Sequence, residues 1–235
     1  MTDLIQSNFH KVQQNIETSA LMAHREPGEI TLLAVSKNFA ASEVLKIAEL
    51  GHKEFAENYV QEGVEKVSLI KSTHPQFNLI WHFIGPLQSN KTKLVAEHFD
   101  WVLTIDRLKI AQRLNEQRPK HLSPLQVCIQ VNIDGGPTKS GLDPTHVLGL
   151  AKEIGQMSSL ELRGLMTIPD PQPNWDDQVG VHLKTKQLFE SIKSELNSDR
   201  FDTLSMGMSA DLSAAISSGS TMVRVGTAIF GERKK

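Results

Sequence analysis

The feature that most limits what this chain can fold into is a repeated change of hydrophobic period. Eight short runs read as strands: Ile30–Ser36, Glu54–Glu57, Leu79–Ile84, Trp101–Ile105, Leu125–Val131, Leu160–Met166, Thr203–Ser205 and Met222–Val225. Between them lie stretches with a helical stripe: Ala41–Leu50, Tyr59–Ile70, Lys91–His98, Arg107–Gln117, Pro144–Gln156, Gln178–Leu196 and Ala210–Ser217. A further helix is expected over residues 2–25, where Leu4, Ile5, Phe9, Val12, Ile16 and Leu21 fall near one stripe. Alternation of this kind calls for parallel strands, because each parallel pair needs a crossover. Eight such units in about 200 residues favour an α/β fold closed into a (β/α)8 barrel. An open doubly wound sheet is the alternative, and the strand count and the lack of a glycine-rich turn after the first strand speak against it.

Local signals agree with these spans. Ser42 and Asp106 stand at expected helix starts, and Asp143 precedes Pro144 as a cap before a first-turn proline. Gly51 suits the position after a helix end. Residues 134–143 and 169–177 read as long loops. No linker or shift of composition divides the chain, so residues 1–235 are expected to form one domain.

Composition excludes several classes. A net charge of −2 gives no global field for nucleic acid. The single cysteine, Cys128, excludes an internal disulfide and a cysteine-cluster metal site, and its apolar run makes it a packing residue. His10, His24, His52, His74, His98, His121, His146 and His182 lack metal-ligand spacing. Trp81 and Trp101 sit in strand-like runs as packing residues. Neither a secretory signal nor an apolar run of membrane-spanning length is evident. The expected compartment is the cytoplasm.

In a parallel barrel the chemistry collects at the C-terminal ends of the strands. Unusual polar residues do follow the apolar runs: Lys37, Asn58, His82, Asn132, Thr167 beside Met166, the segment Ser205-Met206-Gly207-Met208-Ser209, and Arg224 ahead of Gly226-Thr227. A lysine at the tip of a buried strand can be desolvated and become a nucleophile toward aldehydes. Taken alone, Lys37 reads more plainly as a strand end turned to water. Gly207 and Gly226 let backbone N–H groups approach an anion, and Ser209 stands near a helix start, so the turns after strands 7 and 8 suit a phosphate. Arg224 within an apolar strand needs a partner, and a tie between strands is the plain reading of that residue alone. An aldehyde that carries a phosphate would satisfy both ends of such a site. Pyridoxal 5′-phosphate fits; a cofactor-free aldolase using a barrel lysine is a competing possibility.

The segments Leu33-Ala34-Val35-Ser36-Lys37, Glu57-Asn58-Tyr59-Val60-Gln61-Glu62, Trp81 through Lys91, Lys139-Ser140-Gly141, Gly164-Leu165-Met166, Leu204 through Ser209 and Val223 through Gly231 together resemble the pyridoxal phosphate homeostasis proteins. The motifs span nearly the whole chain, and the block from His82 to Lys91 is the most specific. The resemblance implies a single barrel like the N-terminal domain of alanine racemase, of the fold-type III pyridoxal-phosphate class, with the cofactor held by Lys37 as a Schiff base. It implies phosphate contacts from Ser209, Gly226 and Thr227, joined by Ser205 and Gly207. By the same analogy Arg224 faces the pyridine nitrogen, and Asn58, His82 and Met166 line the pocket.

The implied role is vitamin B6 homeostasis, in which the protein holds, buffers or delivers the cofactor without substantial turnover. A guanidinium at the ring nitrogen disfavours the protonated ring that serves as an electron sink. Racemization also needs an acid or base on each face. Lys37 can serve one, Tyr59 is the only tyrosine, no second domain is expected, and His82 is the remaining candidate. The alternative is a pyridoxal-phosphate-dependent amino-acid racemase or lyase. Expected partners are the cofactor and apo-enzymes that would receive it, with neither nucleic acid nor membrane, and a monomeric or weakly dimeric state. Lys139 and the basic Arg233-Lys234-Lys235 tail are candidates for a part in cofactor release.

Overall fold

The computed structural model describes residues 4–136 and 139–232. The eight runs form β1 (Thr31–Val35), β2 (Glu54–Glu57), β3 (Ile80–Phe83), β4 (Trp101–Ile105), β5 (Leu125–Val131), β6 (Leu160–Thr167), β7 (Thr203–Ser205) and β8 (Met222–Val225). They pair in parallel in chain order, and β8 returns to β1 to close a barrel. The helices are α1 (Leu4–Met22), α2 (Ala41–Ala48), α3 (Val60–Thr73), α4 (Thr92–His98), α5 (Leu108–Gln117), α6 (Val147–Ile154), α7 (Trp175–Leu196), α8 (Leu212–Ser217) and α9 (Thr227–Phe230).

The strands are buried on both faces, which is why they read as continuous apolar runs. Leu32 and Ala34 of β1 pack outward into the layer shared with the helices. Leu33 and Val35 point inward and join Ala56, Leu103, Cys128, Met166 and Met222 in a smaller apolar cluster that fills the barrel. Burial pushes the Cys128 thiol far above its ordinary range, as a packing residue requires. Helix α1 lies against α2, α8 and α9, over the seam where β1 meets β8. Its Asn8 side chain donates to the Ile229 carbonyl at 3.2 Å.

Helix ends depart from the sequence expectation where side chains cap differently. The start of α7 is Trp175, because Asn174 accepts from the Asp177 N–H at 3.0 Å and draws the polar residues before Gln178 into the first turn. Ser42 lies inside α2, whose N-cap is Ala40 with no side-chain bond. Arg107 takes the N-cap of α5, and its guanidinium donates to Asp106 instead. Asp143 does cap, accepting from the Thr145 N–H, but the turn it starts is a 3-10 turn, Pro144–His146, that leads into α6. Gly51 follows α2 at φ +89°.

Among the described residues no helix is long and apolar enough to cross a membrane, and no group of histidine, cysteine and acidic residues could hold a metal ion.

Candidate cofactor site

Lys37 lies two residues past the end of β1, in a turn, and is half-buried. Both of its neighbours are held from below. Ser36 donates its hydroxyl to Glu57 Oε1 at 2.6 Å, and its carbonyl accepts from Lys66 Nζ at 2.8 Å. Asn38, at φ +66°, donates its N–H to Glu62 Oε1 at 2.6 Å. Lys66 Nζ also bonds Glu57 Oε1 at 2.6 Å and Glu62 Oε1 at 3.1 Å. Burial pushes the Glu57 carboxyl above its ordinary value, while Lys66 and Ser36 pull it back. Sequence reasoning missed this network. Its signal was present: Glu62 and Lys66 are four apart on α3 in the favourable order.

On the far side of the β1–β8 seam, Arg224 of β8 is buried inside the barrel. Its Nη1 donates to Ser205 Oγ at 2.8 Å and its Nη2 to the Thr167 carbonyl at 2.8 Å. Burial pulls its pKa down to about 10, which still leaves a cation at neutral pH. The Arg224 N–H donates to the Gly207 carbonyl at 3.1 Å, so the segment after β7 continues alongside β8. Gly207 has φ +91°, and a Cβ there would lie 2.4 Å from the Ala215 Cβ. Only glycine lets this segment turn so tightly against α8. A Cβ on Gly226 would lie 3.2 Å from the Val35 carbonyl oxygen, so the turn after β8 sits against the strand that leads to Lys37. Ser209 and Thr227 are exposed on these two turns.

The Ser209 turn is fastened by Asp211. Its Oδ1 accepts from the Met208 N–H at 2.7 Å and its Oδ2 accepts from His182 Nε2 at 2.9 Å. Burial works against the Asp211 carboxylate, but these hydrogen bonds outweigh it and hold the pKa below its ordinary value.

Asn58, after β2, lines a cavity of about 260 Å³ with Ile84, Pro86, Gln130, Lys139, Ser140 and Ile168. Met166 is buried in the barrel interior on β6. Three buried polar atoms at these strand ends, Asn58 Oδ1, Asn132 Oδ1 and Thr167 Oγ1, have no hydrogen-bond partner among the described residues. Orphaned polar atoms of this kind are expected where a polar ligand belongs. Lys139, a candidate for a part in cofactor release, is paired with Asp134 at 2.7 Å and Asp170 at 2.9 Å, which raises its pKa despite some desolvation. Residues 233–235 lie outside the described residues.

Lys37, Asn58, Met166, Ser205, Gly207, Ser209, Arg224, Gly226 and Thr227 thus come from the C-terminal ends of β1, β2, β6, β7 and β8. His82 does not join them, and the expectation that it lines this pocket is corrected. Its Nε2 is 2.6 Å from Glu54 Oε2, at the first residue of β2, and its ring stacks on Trp101, the first residue of β4, at 5.2 Å. The reason is the stagger of a barrel: His82 is third in β3 yet pairs level with Trp101. Its side chain therefore lines the opposite, N-terminal mouth, where a cleft of about 360 Å³ also takes in Arg163 and Asp202.

The family described as alanine racemase, N-terminal domain, matches residues 4–234. The pyridoxal phosphate homeostasis protein of Haemophilus influenzae is 53% identical over 97% of this chain and 96% of its own. That of Escherichia coli K12 is 49% identical over 97% of each. This chain belongs to the pyridoxal phosphate homeostasis protein family. PipY of Synechococcus elongatus, solved with PLP bound, superposes on this family member with a TM-score of 0.79 at 30% identity, covering 92% of this chain and 99% of that one. An alanine racemase from Corynebacterium glutamicum, at 16% identity, shares the fold with a TM-score of 0.66 over 95% of this chain and 61% of its own.

Proposed function

We propose that this chain binds pyridoxal 5′-phosphate at the C-terminal mouth of its barrel, with Lys37 as the covalent anchor, and serves vitamin B6 homeostasis by holding and delivering the cofactor. Bound there, the cofactor would supply an aldehyde for condensation with a primary amine, with loss of water. Lys37 offers that amine on a braced turn. Ser209, Gly226 and Thr227, with Ser205 and Gly207 behind them, form the phosphate end. Arg224 fixes a positive charge in the barrel wall, and Asn58 and Met166 line the side and floor. The observation that carries the reading is the meeting of these turns at the β1–β8 seam: Gly226 rests on Val35, and Lys37 lies two residues beyond Val35. The names of the relatives and the PLP bound to PipY support the same ligand.

Holding rather than turnover is supported from within the chain. A racemase needs a second acid or base opposite the lysine. His82 is turned to the other mouth and tied to Glu54. Tyr59 is half exposed at the start of α3. The hydrogen bonds of Arg224 go to a hydroxyl and a carbonyl. A guanidinium does not accept a proton, so it cannot favour a protonated ring nitrogen. Cofactor-depleted enzymes of the pyridoxal-phosphate class are the recipients this role requires.

Borohydride reduction of the cofactor-loaded protein followed by peptide mapping tests the anchor, and label on Lys37 is the expected result. Label elsewhere, or none, would sink it. Racemase, aminotransferase and decarboxylase assays on the loaded protein test the second half, with turnover that disappears in Lys37→Ala as the refuting outcome.

A further inference from the structure

The residues on either side of Lys37 are gripped by one buried charge network. Glu57 is fully buried at the end of β2, and Lys66 is buried on α3. Placing this pair in the interior carries a desolvation cost, and an apolar pair could fill the same space. What an apolar pair could not do is bond the turn. The network uses the Ser36 hydroxyl, the Ser36 carbonyl and the Asn38 N–H, which are three polar groups bracketing a single residue. Asn38 lies in the left-handed region at φ +66°, which asparagine adopts more readily than other non-glycine residues, and the turn there leaves its N–H free to point at α3. Glu62 accepts that N–H from α3, at 2.6 Å, and is itself oriented by Lys66.

Resting on the reading of Lys37 as the anchor, we propose that Glu62, backed by Lys66 and Glu57, is a positioning residue that sets the Lys37 turn so that its amine meets the cofactor aldehyde in one orientation. The network acts through the Ser36 hydroxyl and carbonyl and the Asn38 N–H. Fixing a reacting group in this way changes the rate at which a bond forms more than it changes the stability of the fold.

Glu62 suits the test because its side chain is 31% exposed, so its replacement leaves no cavity in the core. The measurement is the rate at which cofactor-free protein, mixed with pyridoxal 5′-phosphate, develops the visible absorbance of the Lys37 linkage. Borohydride trapping gives the end point, and thermal unfolding of the cofactor-free protein runs alongside. Glu62→Ala is expected to slow the linkage about tenfold, as loss of one charge-assisted hydrogen bond allows, while thermal unfolding changes little. Glu62→Gln keeps an oxygen acceptor for the Asn38 N–H and is expected to recover most of the rate. Should Glu62→Ala fail to fold, Glu62→Asp, whose carboxylate falls one methylene short of Asn38, carries the same comparison with Glu62→Gln. Linkage in the shortened variant at the unsubstituted rate, or a Gln variant as slow as it, overturns the proposal. Absence of label on Lys37 in the unsubstituted protein overturns the anchor itself, and this inference with it.

Discussion

The two mouths of the barrel are built from the same eight strands and partner their arginines differently. At the N-terminal mouth the arginine meets a carboxylate. Arg163 reaches Asp202 through two nitrogens, at 3.1 and 2.6 Å, donates to Gln126 at 2.7 Å and lies over the Trp101 ring at 5.0 Å. His82 completes the stack on Trp101 and pairs with Glu54. At the C-terminal mouth a buried guanidinium is given only a hydroxyl and a carbonyl, and the Asn58, Asn132 and Thr167 oxygens have no partner among the described residues. An arginine paired with a carboxylate ties strands together, while Arg224, given no carboxylate, keeps its charge at the mouth proposed to hold the cofactor. The comparison also separates two polar residues that look alike in the sequence, since Lys37 and His82 both close apolar runs.

The largest expected effect falls on Lys37, the proposed anchor. Lys37→Ala should abolish borohydride-trapped cofactor altogether, measured by mass, while the fold survives. Trapping that persists would break the asymmetry between the mouths. Next comes Arg224→Leu. Removing two buried charge-assisted hydrogen bonds should destabilise the protein by about 3 kcal/mol, measured by urea unfolding, and should also weaken cofactor affinity measured by equilibrium dialysis. An affinity left unchanged would make Arg224 a strand tie and nothing more. His82→Leu is the matching experiment at the other mouth. It should cost about 1–2 kcal/mol through the lost Glu54 and Trp101 contacts and leave Lys37 trapping at its full extent. Impaired trapping would show that the mouths communicate.

The smallest effect is on acid stability. The Asp211 carboxyl has a depressed pKa in the folded chain, so its contribution is present above the ordinary value of 3.8 and is lost as pH falls through the folded value. Asp211→Asn should therefore flatten the fall of stability on the acid side of pH 3.8 and lower the plateau above it, by an amount read from unfolding midpoints at a series of pH values. Identical acid limbs in the two proteins would remove Asp211 as a fastener of the Ser209 turn.

Legibility followed the same division. All eight strands could be read because their period changes against the helices, and Glu54–Glu57, Trp101–Ile105, Leu125–Val131, Thr203–Ser205 and Met222–Val225 match residue for residue. Lys37, Gly207, Arg224 and Gly226 could be read because each is odd for its place: an amine, two glycines and a guanidinium in or beside apolar strands. His82 was misplaced because strand position gives the order of residues along one strand but not the stagger between strands. The Glu57–Lys66–Glu62 network stayed hidden because its members come from a strand and the helix after it, and ordinary surface charge patterning explains each one alone. Asp211 and His182 are 29 residues apart, and only the packing of α7 against the segment after β7 brings them together.

The closure of β8 onto β1 has a consequence for synthesis. Lys37 emerges early from the ribosome, while Arg224, Gly226 and Thr227 are nearly two hundred residues behind it. Until the last strand docks, a nascent chain carries the amine without the wall and turns proposed to hold a phosphate beside it. Contacts this distant along the chain form late. Capture at the proposed site would thereby be tied to completed folding, and a half-made chain would be a poor trap for a reactive aldehyde.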